Sequence, residues 1–470
     1  MRARGFHVRP GDLDTEEKRS SYVVCVVGLG RMGLPTACLW ARAGFRVVGA
    51  DINPAVASAV SSGKAPFEEP GLGELLADVV ASGRLRATTD VRKAASEADL
   101  IKVIVATPLD EQGRPDYGPI TRACREVGLG LRPGALVLIE STVGPGITED
   151  LLRPELEEAS GLRAGVDFGL AYSPIRATSG RVLKDLATYP RVLGALDARS
   201  LEAAKAFLLA VTKGGVVTVS DIRTAEAVKL FENVYRHVVL ALTNELAMFC
   251  QEAGIDFLEA ARAANTQPYC RLLTPGLVGG HIPKDQHLLM ARAEELGVKL
   301  RLARAAEKVN EAVLAHVLKL LREALREAGL SLRRAAVAVL GVSYKPDVKN
   351  PAGSRTEALV RALKDRCKRV LVYDPFYTKA ELEALGYPAA STLAEAVEGA
   401  NCLLIAVGHS RFRELNLEAV RSLMADKAVL VDAGNVIEPS RALKAGFVFR
   451  ALEGSMTLPA STRTALSAMR

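Results

Sequence analysis

Short apolar runs alternate with helical segments from Tyr22 onward. The segments between the runs, such as PTACLWARAG and ITEDLLRPELEEA, have helical spacing. Apolar strands that alternate with helices predict a parallel, doubly wound sheet with helices on both faces. The predicted buried strands are VVCVVGLG (23–30), FRVVGAD (45–51), LIKVIVATP (100–108), ALVLIEST (135–142) and FGLAYSP (168–174).

The pattern becomes purely helical near Thr224. Residues 224–254 repeat apolar positions at helical spacing, and so does a second stretch over roughly 300–328. Between them, TQPYCRLLTPGLVGGHIPKD is rich in Pro and Gly and predicts a loop on a substrate-facing surface. Alternation then resumes and predicts a smaller doubly wound domain. Its strands are AAVAVLGVSY (335–344), RVLVYDP (369–375), NCLLIAV (401–407) and AVLVDAGN (428–435).

Composition narrows the class of protein. The 470 residues are too many for one core and suggest two or three domains. A net charge of +7 without a basic cluster, together with 5% aromatic residues, argues against a nucleic-acid-binding surface. No apolar stretch is long enough for a membrane span, and residues 1–21 lack the core of a signal peptide. We therefore expect a cytoplasmic protein without membrane partners.

The cysteines are scattered and lack CxxC spacing. This distribution fits buried free thiols in a reducing compartment, and we expect neither disulfides nor a metal site. The seven cysteines are Cys25, Cys38, Cys124, Cys250, Cys270, Cys367 and Cys402.

A glycine-rich turn follows the first predicted strand and opens a helix. It runs Gly28, Leu29, Gly30, Arg31, Met32 and Gly33. In this G-x-G-x-x-G pattern the glycines allow the tight turn, the approach of a pyrophosphate and close helix packing. Asp51 closes the next strand, where a carboxylate accepts from ribose hydroxyls and repels a 2′-phosphate. The alternative, a bare glycine-rich turn, does not explain the strand, helix and acid together, so we predict NAD as the cofactor.

With these elements in place, the chain resembles the UDP-glucose/GDP-mannose dehydrogenase family, especially the branch acting on UDP-N-acetylhexosamines. The resemblance covers about residues 22–455. The matching segments include VVGLGRMGLP, EEPGLGELL (68–76), ATP (106–108), ESTVGPG (140–146), AYSP (171–174), AEAVKLFEN (225–233), ANTQP (264–268), GGHIPKD (279–285), LGVSYKPDV (340–348), YDP (373–375) and DAGN (432–435).

The resemblance implies the roles of several side chains. Lys229 and Asn233 match the family's catalytic lysine and asparagine, and Asp285 matches the aspartate that pairs with this lysine and a water. Their four-residue spacing puts Lys229 and Asn233 on one helix face. Thr142 matches a residue near the nicotinamide, and Thr107 lies in the cofactor-side ATP segment. For Lys229 the alternative is a solvated helix lysine.

Two catalytic positions of the family are not retained. The family's GGHC cysteine, which forms a thioester with the substrate, is absent from Gly279-Gly280-His281-Ile282. The family's SPER glutamate, which activates water to hydrolyse that thioester, is Ile175 here. Both losses fall on the second half of the oxidation.

Replacements for the missing cysteine remain open at this level. Cys270 lies eleven residues before His281, and the alternative for this cysteine is surface packing. His281 is the better candidate, since a neutral imidazole acts as a base on an aldehyde hydrate. The alternative for His281 is substrate binding, which we weigh about equally.

The family's architecture implies a substrate site and an assembly. Gly279, Gly280, His281, Lys345 and Arg355 are predicted to bind substrate. The arginine that in the family reaches the partner's site is Ala352 here, and Arg355 is a possible substitute. The helical centre implies a homodimer. We predict a polar extension (1–21), an NAD-binding Rossmann domain (22–220), a central helical domain for dimerisation and substrate (221–330), a Rossmann-like nucleotide-sugar domain (331–455) and a tail (456–470).

The resulting prediction is an enzyme of polysaccharide biosynthesis that oxidises a UDP-sugar at C6 with NAD. The product is either a uronic acid, formed without a covalent intermediate, or the aldehyde. One rival is a redox-neutral, NAD-retaining epimerase. The other is a non-catalytic nucleotide-sugar-binding paralogue, which retention of Lys229 and Asp285 disfavours.

Overall fold

The computed structural model describes residues 3–9 and 11–453. Its contacts divide the chain into two units, each with its own sheet: Met1–Asn233 with Lys284–Lys299, and Val234–Pro283 with Leu300–Arg470. The predicted tail, 456–470, lies outside the described residues.

The sheet of the first unit has eight strands in the order β3-β2-β1-β4-β5-β6-β7-β8. Neighbouring strands are parallel except β6 and β7, which are antiparallel. The order reverses between β1 and β4, and such a switch point opens a crevice for a ligand. The strands are β1 Val23–Val27, β2 Arg46–Ala50, β3 Leu85–Thr88, β4 Leu100–Val103, β5 Leu136–Ile139, β6 Gly169–Tyr172, β7 Arg191–Ala195 and β8 Val216–Thr218.

The second unit has a five-stranded parallel sheet in the order β10-β9-β11-β12-β13, with its own switch point between β9 and β11. Its strands are β9 Ala336–Leu340, β10 Arg369–Tyr373, β11 Cys402–Ile405, β12 Val429–Asp432 and β13 Val448–Ala451. Both sheets have buried apolar clusters. The expectation of two doubly wound Rossmann-like domains and a centre of long helices is confirmed.

Helices follow most of the strands, and the longest two correspond to the predicted helical stretches. The helices are α1 Glu16–Ser20, α2 Gly33–Arg42, α3 Pro54–Ser61, α4 Leu72–Ala81, α5 Val91–Glu97, α6 Gly118–Gly130, α7 Arg153–Ser160, α8 Val182–Thr188, α9 Ala198–Leu209, α10 Ile222–Ala253, α11 Phe257–Ala264, α12 His281–Glu295, α13 Arg301–Glu327, α14 Thr356–Lys364, α15 Lys379–Ala384, α16 Leu393–Val397, α17 Ser410–Arg413, α18 Leu417–Leu423 and α19 Pro439–Lys444. Short turns of other helix types cover Gly5–His7, Thr148–Leu152 and Leu332–Arg334.

One predicted loop is partly wrong. The segment ending in HIPKD was expected to be irregular, but α12 begins at His281 and includes Asp285. Gly280, immediately before the helix, has φ 70°, a left-handed conformation that favours glycine. Pro283 falls in the first helical turn, where its missing N–H costs no hydrogen bond, so the proline starts this helix instead of breaking it.

The N-terminal extension packs onto the first unit. Phe6 is fully buried against Leu136 and Gly169, and the Arg199 guanidinium lies 4.5 Å from its ring centroid. The Phe6 N–H donates to the Gly134 carbonyl at 2.8 Å. Val8 and Leu13 join the buried cluster of this unit. A segment that is polar in sequence therefore contributes several apolar side chains to the core.

Two further sequence predictions can be compared with the structure. Five of the seven cysteines are buried, Cys270 and Cys367 are half-buried, and all seven are free thiols, as expected. Among residues 3–9 and 11–453, none of the helices combines the length and apolar character required to cross a bilayer.

Candidate functional site

The glycine-rich turn lies at the switch point of the first sheet. Gly28 has φ 90°, and a Cβ there would lie 2.4 Å from the Ile104 carbonyl oxygen. A Cβ on Gly33 would lie 1.8 Å from the Gly28 oxygen, whereas a Cβ on Gly30 would meet nothing within 4 Å. Two glycines are therefore required by packing, and Gly30 leaves open space where a pyrophosphate approaches the helix N-terminus.

Asp51 is held rigidly at the end of β2. One of its carboxylate oxygens accepts the Leu29 N–H at 2.8 Å, and the other accepts the Asn53 N–H at 2.9 Å. Each oxygen keeps a further lone pair for a ribose hydroxyl. Nearby, the Arg31 guanidinium lies 5.3 Å from the centroid of the Phe67 ring. The geometry fits a dinucleotide whose ribose lacks a 2′-phosphate.

Thr107 lies between Thr142, which is predicted to lie near the nicotinamide, and the start of α12, which carries Lys284 and Asp285. Its hydroxyl donates to the Thr142 carbonyl at 2.6 Å. The Lys284 ammonium donates to the Thr107 carbonyl at 3.1 Å and lies 3.1 Å from the Asp285 carboxylate. The structure thus joins both predicted threonines to Asp285 through Lys284, a residue that the sequence analysis did not assign to the site.

Lys229, Asn233 and Asp285 are all buried, with 8%, 3% and 1% of their surfaces exposed. The Asn233 amide donates to an Asp285 carboxylate oxygen at 2.5 Å. Because Lys229 lies one helical turn before Asn233 on α10, the three residues share a water-poor region. A fixed ammonium and amide in such surroundings can stabilise an alkoxide as it forms.

The segment Ser173-Pro174-Ile175-Arg176 carries an alkyl side chain at the position where the family resemblance predicts a glutamate. Ile175 is buried in the apolar cluster of the first unit. Arg176 turns away to pair with Glu232 at 2.6 Å and donates to the Pro190 carbonyl at 3.0 Å. An alkyl side chain in an apolar cluster can neither accept nor deliver a proton at this position.

A buried ionic cluster underlies the Ser173 end of this segment. Glu140 pairs with Lys102 at 2.9 Å and with Arg191, which also donates to the Ser173 hydroxyl at 3.1 Å. The Lys102 ammonium lies 4.3 Å from the centroid of the Trp40 ring. Burial lowers the pKa of Lys102 to about 8; Glu140 opposes the shift, and Arg191 reinforces it.

The second unit contains a cavity of about 200 Å³ at the switch point of its sheet. Loops after β9, β11 and β12 line it, together with residues 274–277. Lys345 and Arg355 bring two cationic side chains to the lining, and Tyr344 and Asn435 add further polar groups. A cavity with two cations at the carboxyl ends of parallel strands suits a nucleotide diphosphate.

Gly279 and Gly280, which are predicted to bind substrate, are not part of the cavity lining but pack against Gly353, next to the lining residues Ser354 and Arg355. The Gly280 N–H donates to the Gly353 carbonyl at 2.9 Å, and a Cβ on Gly279 would lie 2.4 Å from the same oxygen. The Arg355 side chain donates to the Val278 carbonyl at 3.0 Å. The His281 ring lies edge-on to Tyr344, with 6.2 Å between centroids.

A buried histidine fixes the loop that carries Lys345. The Asp347 N–H donates to Nδ1 of His409 at 2.9 Å, so the other ring nitrogen carries the proton that it gives to Asp374 at 3.1 Å. Asp347 has φ 57°, an unusual conformation that these contacts hold in place. Through His409, these hydrogen bonds join Asp347 of the YKPD segment to Asp374 of the YDP segment.

Sequence reasoning missed two buried glutamates. Glu226 accepts the N–H groups of Gly146 and Thr148, and Glu69 accepts those of Gly180 and Val182. Both residues stand inside matched segments, AEAVKLFEN and EEPGLGELL. The sequence shows both glutamates, but it does not show that their hydrogen-bond donors lie 78 or more residues away.

A dinucleotide-binding switch point beside a buried lysine, amide and carboxylate is typical of NAD-dependent dehydrogenases. The comparison with known proteins narrows the class. Three models of the UDP-glucose/GDP-mannose dehydrogenase family match in order: its NAD binding domain at residues 22–209, its central domain at 223–312 and its UDP binding domain at 338–439. The chain belongs to this family, and its cofactor is NAD.

The chain is similar to family members with different named substrates. It is 36% identical to the UDP-N-acetyl-D-mannosamine dehydrogenase of Pyrococcus horikoshii, over 91% of this chain and 98% of that protein. A solved structure of the UDP-D-ManNAc dehydrogenase from that organism superposes with a TM-score of 0.85 at 34% identity, covering 93% of this chain and all of the other. The chain is also 33% identical to the NDP-N-acetyl-D-galactosaminuronic acid dehydrogenase of Ralstonia nicotianae, over 85% and 93% of the two chains.

Proposed function

We propose that this protein oxidises the C6 alcohol of a UDP-sugar, either a UDP-N-acetylhexosamine or a UDP-hexose. The observation that carries the proposal is the buried contact of Asn233 with Asp285, one helical turn from Lys229. The Lys345 and Arg355 cations in the second unit's cavity support binding of the diphosphate of the UDP-sugar, the part of the substrate that does not react. The mannosamine relative and the galactosaminuronic acid relative support an N-acetylated hexose.

The first oxidation removes two electrons from the alcohol. Bound NAD supplies the hydride acceptor, and the balanced step converts alcohol and NAD⁺ to aldehyde, NADH and a proton. Lys229 stabilises the negative charge that develops on the C6 oxygen as its proton leaves. Asp285 fixes the Asn233 amide, and the pair can orient the hydroxyl or a water.

A second oxidation would need a different chemistry from the family's thioester route. Water adds to the aldehyde to give a hydrate, and the hydrate with a second NAD⁺ gives the acid, NADH and a proton. We propose His281 as the base that removes the hydrate proton, with substrate binding as the alternative role. Burial of Ile175 in an apolar cluster equally supports a reaction that stops at the aldehyde or returns the hydride.

The experiment that separates these outcomes counts NADH formed per UDP-sugar consumed. Purified protein is incubated with NAD and UDP-N-acetylmannosamine, UDP-N-acetylglucosamine or UDP-glucose. Two NADH per sugar indicate the acid and one the aldehyde. An altered sugar without net NADH indicates an epimerase, and no conversion with any sugar would overturn the proposed dehydrogenase. Lys229→Ala should lower turnover about 100-fold, since loss of such a charge contact costs on the order of 3 kcal/mol. Lys205→Ala, an exposed lysine on α9, is the matched control.

We also propose that two copies of the chain associate through α10. Tyr235, Leu242 and Phe249 are each about half exposed or more and recur every seven residues along that helix. A heptad stripe of large apolar side chains is the pattern by which one helix packs against another. A cytoplasmic location and the predicted domain boundaries remain proposals from the sequence.

A further inference from the structure

Glu226 is a buried carboxylate close in sequence to the catalytic residues, and the mechanism above assigns it no role. It is fully buried and lies on the face of α10 that carries Lys229 and Asn233, three and seven residues before them. One of its carboxylate oxygens accepts the Gly146 N–H at 2.5 Å, and the other accepts the Thr148 N–H at 2.9 Å. The Gly146 N–H belongs to the loop that follows β5, and the Thr148 N–H belongs to the first residue of the helical turn Thr148–Leu152, which ends this loop.

That loop carries Thr142 and is fixed again at its other end. The Thr142 carbonyl accepts the Thr107 hydroxyl, and the Gly144 N–H donates to the Tyr117 hydroxyl at 3.0 Å. The Tyr172 hydroxyl donates to the Ser141 carbonyl at 3.0 Å. With these contacts in place, Glu226 is the point at which the loop meets the helix of Lys229.

We propose that Glu226 is a positioning residue for hydride transfer, which holds the Lys229 helix at a fixed distance from the Thr142 loop. This inference rests on the proposed function. A carboxylate can accept both N–H groups at once, whereas a neutral amide of the same shape offers one oxygen and turns its NH₂ group toward the second N–H. Loss of one contact lets the helix and loop shift, and a displacement of about 1 Å can cost 100-fold in rate.

The positioning role of Glu226 predicts that turnover depends on the protonation state of its carboxyl group. Burial raises the pKa of Glu226 to about 7, and Glu149 on the neighbouring turn adds to the rise, while the hydrogen bonds from Gly146 and Thr148 oppose it. Tyr117 and Tyr172 also face this carboxylate, and burial keeps both phenols neutral by raising their pKa values. Lys229 lies one turn further along the same helix. As pH falls through about 7, the protonated carboxyl loses one acceptor, and turnover should fall with it.

The test compares Glu226→Gln and Glu226→Asp with the parent protein and with Glu202→Gln, an exposed glutamate on α9. We expect Glu226→Gln to lower kcat about 100-fold. The KM for the UDP-sugar should change less than threefold, and the decline of kcat below pH 7 should disappear. Glu226→Asp, which keeps the charge, should restore part of kcat. A Glu226→Gln protein with parental kcat and an unchanged pH profile would overturn the proposal, even if its Tm were lower.

A second measurement does not depend on turnover. Hydrogen exchange of the Gly146 and Thr148 amides in the NAD-bound protein should be at least tenfold faster in Glu226→Gln than in the parent. If the exchange rates of these two amides are the same in Glu226→Gln and the parent, Glu226 does not hold the loop and the proposal is wrong. If the parent protein oxidises no UDP-sugar, the proposed function fails while this exchange result still decides whether Glu226 holds the loop.

Discussion

The Asn233 amide donates to the Asp285 carboxylate at 2.5 Å across 52 residues of sequence. Because Asp285 also pairs with Lys284, which donates to Thr107, the contact belongs to a chain of groups that reaches the Thr142 loop. Asn233 is therefore fixed relative to the predicted cofactor side before any ligand binds. Preorganisation of this kind lets polar groups stabilise a developing charge without rearranging.

The first prediction concerns the choice of cofactor. NADP should bind at least about tenfold more weakly than NAD, because its 2′-phosphate would meet the Asp51 carboxylate at a cost of ~1–4 kcal/mol. Titration of both cofactors into the purified protein, followed by calorimetry, measures the ratio. Asp51→Asn should reduce the ratio of the NAD affinity to the NADP affinity, because the negative charge that repels the 2′-phosphate is removed. Equal affinities in the parent protein would refute the role given to Asp51.

The second prediction concerns assembly. Light scattering at micromolar concentration should give about twice the chain mass of 50.1 kDa. Leu242→Glu combined with Phe249→Glu should halve it, because burying two carboxylates in an apolar contact is strongly unfavourable. Leu385→Glu, at the exposed leucine that follows α15, is the matched control and should leave the mass unchanged. A parent protein that elutes as a clean monomer would contradict the dimer.

The third prediction tests whether the N-terminal extension is part of the core. Phe6→Ala should lower the free energy of unfolding by about 3–5 kcal/mol, the usual cost of truncating a fully buried phenylalanine. Denaturant titration of the full-length protein measures the change. Arg9→Ala, an exposed neighbour, should stay within about 0.5 kcal/mol of the parent. A Phe6→Ala protein as stable as the Arg9→Ala control would show that the extension is dispensable.

The fourth prediction follows from the buried ammonium of Lys102. Its pKa is about 8 in the folded protein and 10.5 for an ordinary lysine. Between these values the unfolded chain holds a proton that the folded chain has released, so the contribution of Lys102 to stability rises with pH, by at most ~1.4 kcal/mol per pH unit. Below pH 8 the lysine is charged in both states, and its contribution is constant.

Lys102→Met isolates this contribution. Glu140 keeps Arg191 as a partner, so the substitution leaves a matched ion pair. The difference in unfolding free energy, parent minus variant, should be flat from pH 6 to 8 and should rise from pH 8 to 10. Lys205→Met should show no such rise, because that lysine is exposed. A flat Lys102→Met difference up to pH 10 would mean that the buried lysine keeps its ordinary pKa.

Sequence reasoning succeeded where information was local. Each of the nine predicted apolar runs contains a strand, because such runs have few other ways to bury themselves. Four strands were not predicted: β3, β7 and β13 each include an arginine, and β8 is largely exposed. Lys229, Asn233 and Asp285 are predicted as site residues from their motifs, and the structure shows that all three are buried. Glu226 and Lys284 were not assigned, since each acts through a backbone group distant in sequence.

The final prediction is that oxidation proceeds without a covalent thioester. The 279–285 segment contains no cysteine where the family resemblance predicts one, and five of the seven thiols elsewhere are poor nucleophiles. Burial raises the pKa values of Cys25, Cys38 and Cys124 to about 12 and that of Cys367 to about 11, and it raises the pKa of Cys402 well above its ordinary value. Because the thiolate is the reactive form, these residues remain inert near neutral pH. A thiol-alkylating reagent should therefore leave turnover largely intact.

Intact-mass spectrometry after incubation with UDP-sugar and NAD should accordingly show no sugar adduct. An adduct that maps to Cys270, which is half-buried, would mean that the loop has relocated its nucleophile and that the non-covalent route is wrong. Without an adduct, His281→Ala distinguishes the remaining cases. Accumulation of aldehyde with loss of acid would assign the hydrate proton to His281, because no other step needs a base at that stage. If His281→Ala raises only KM, His281 binds the substrate. If the kinetics of this variant are unchanged, His281 has no role in the reaction.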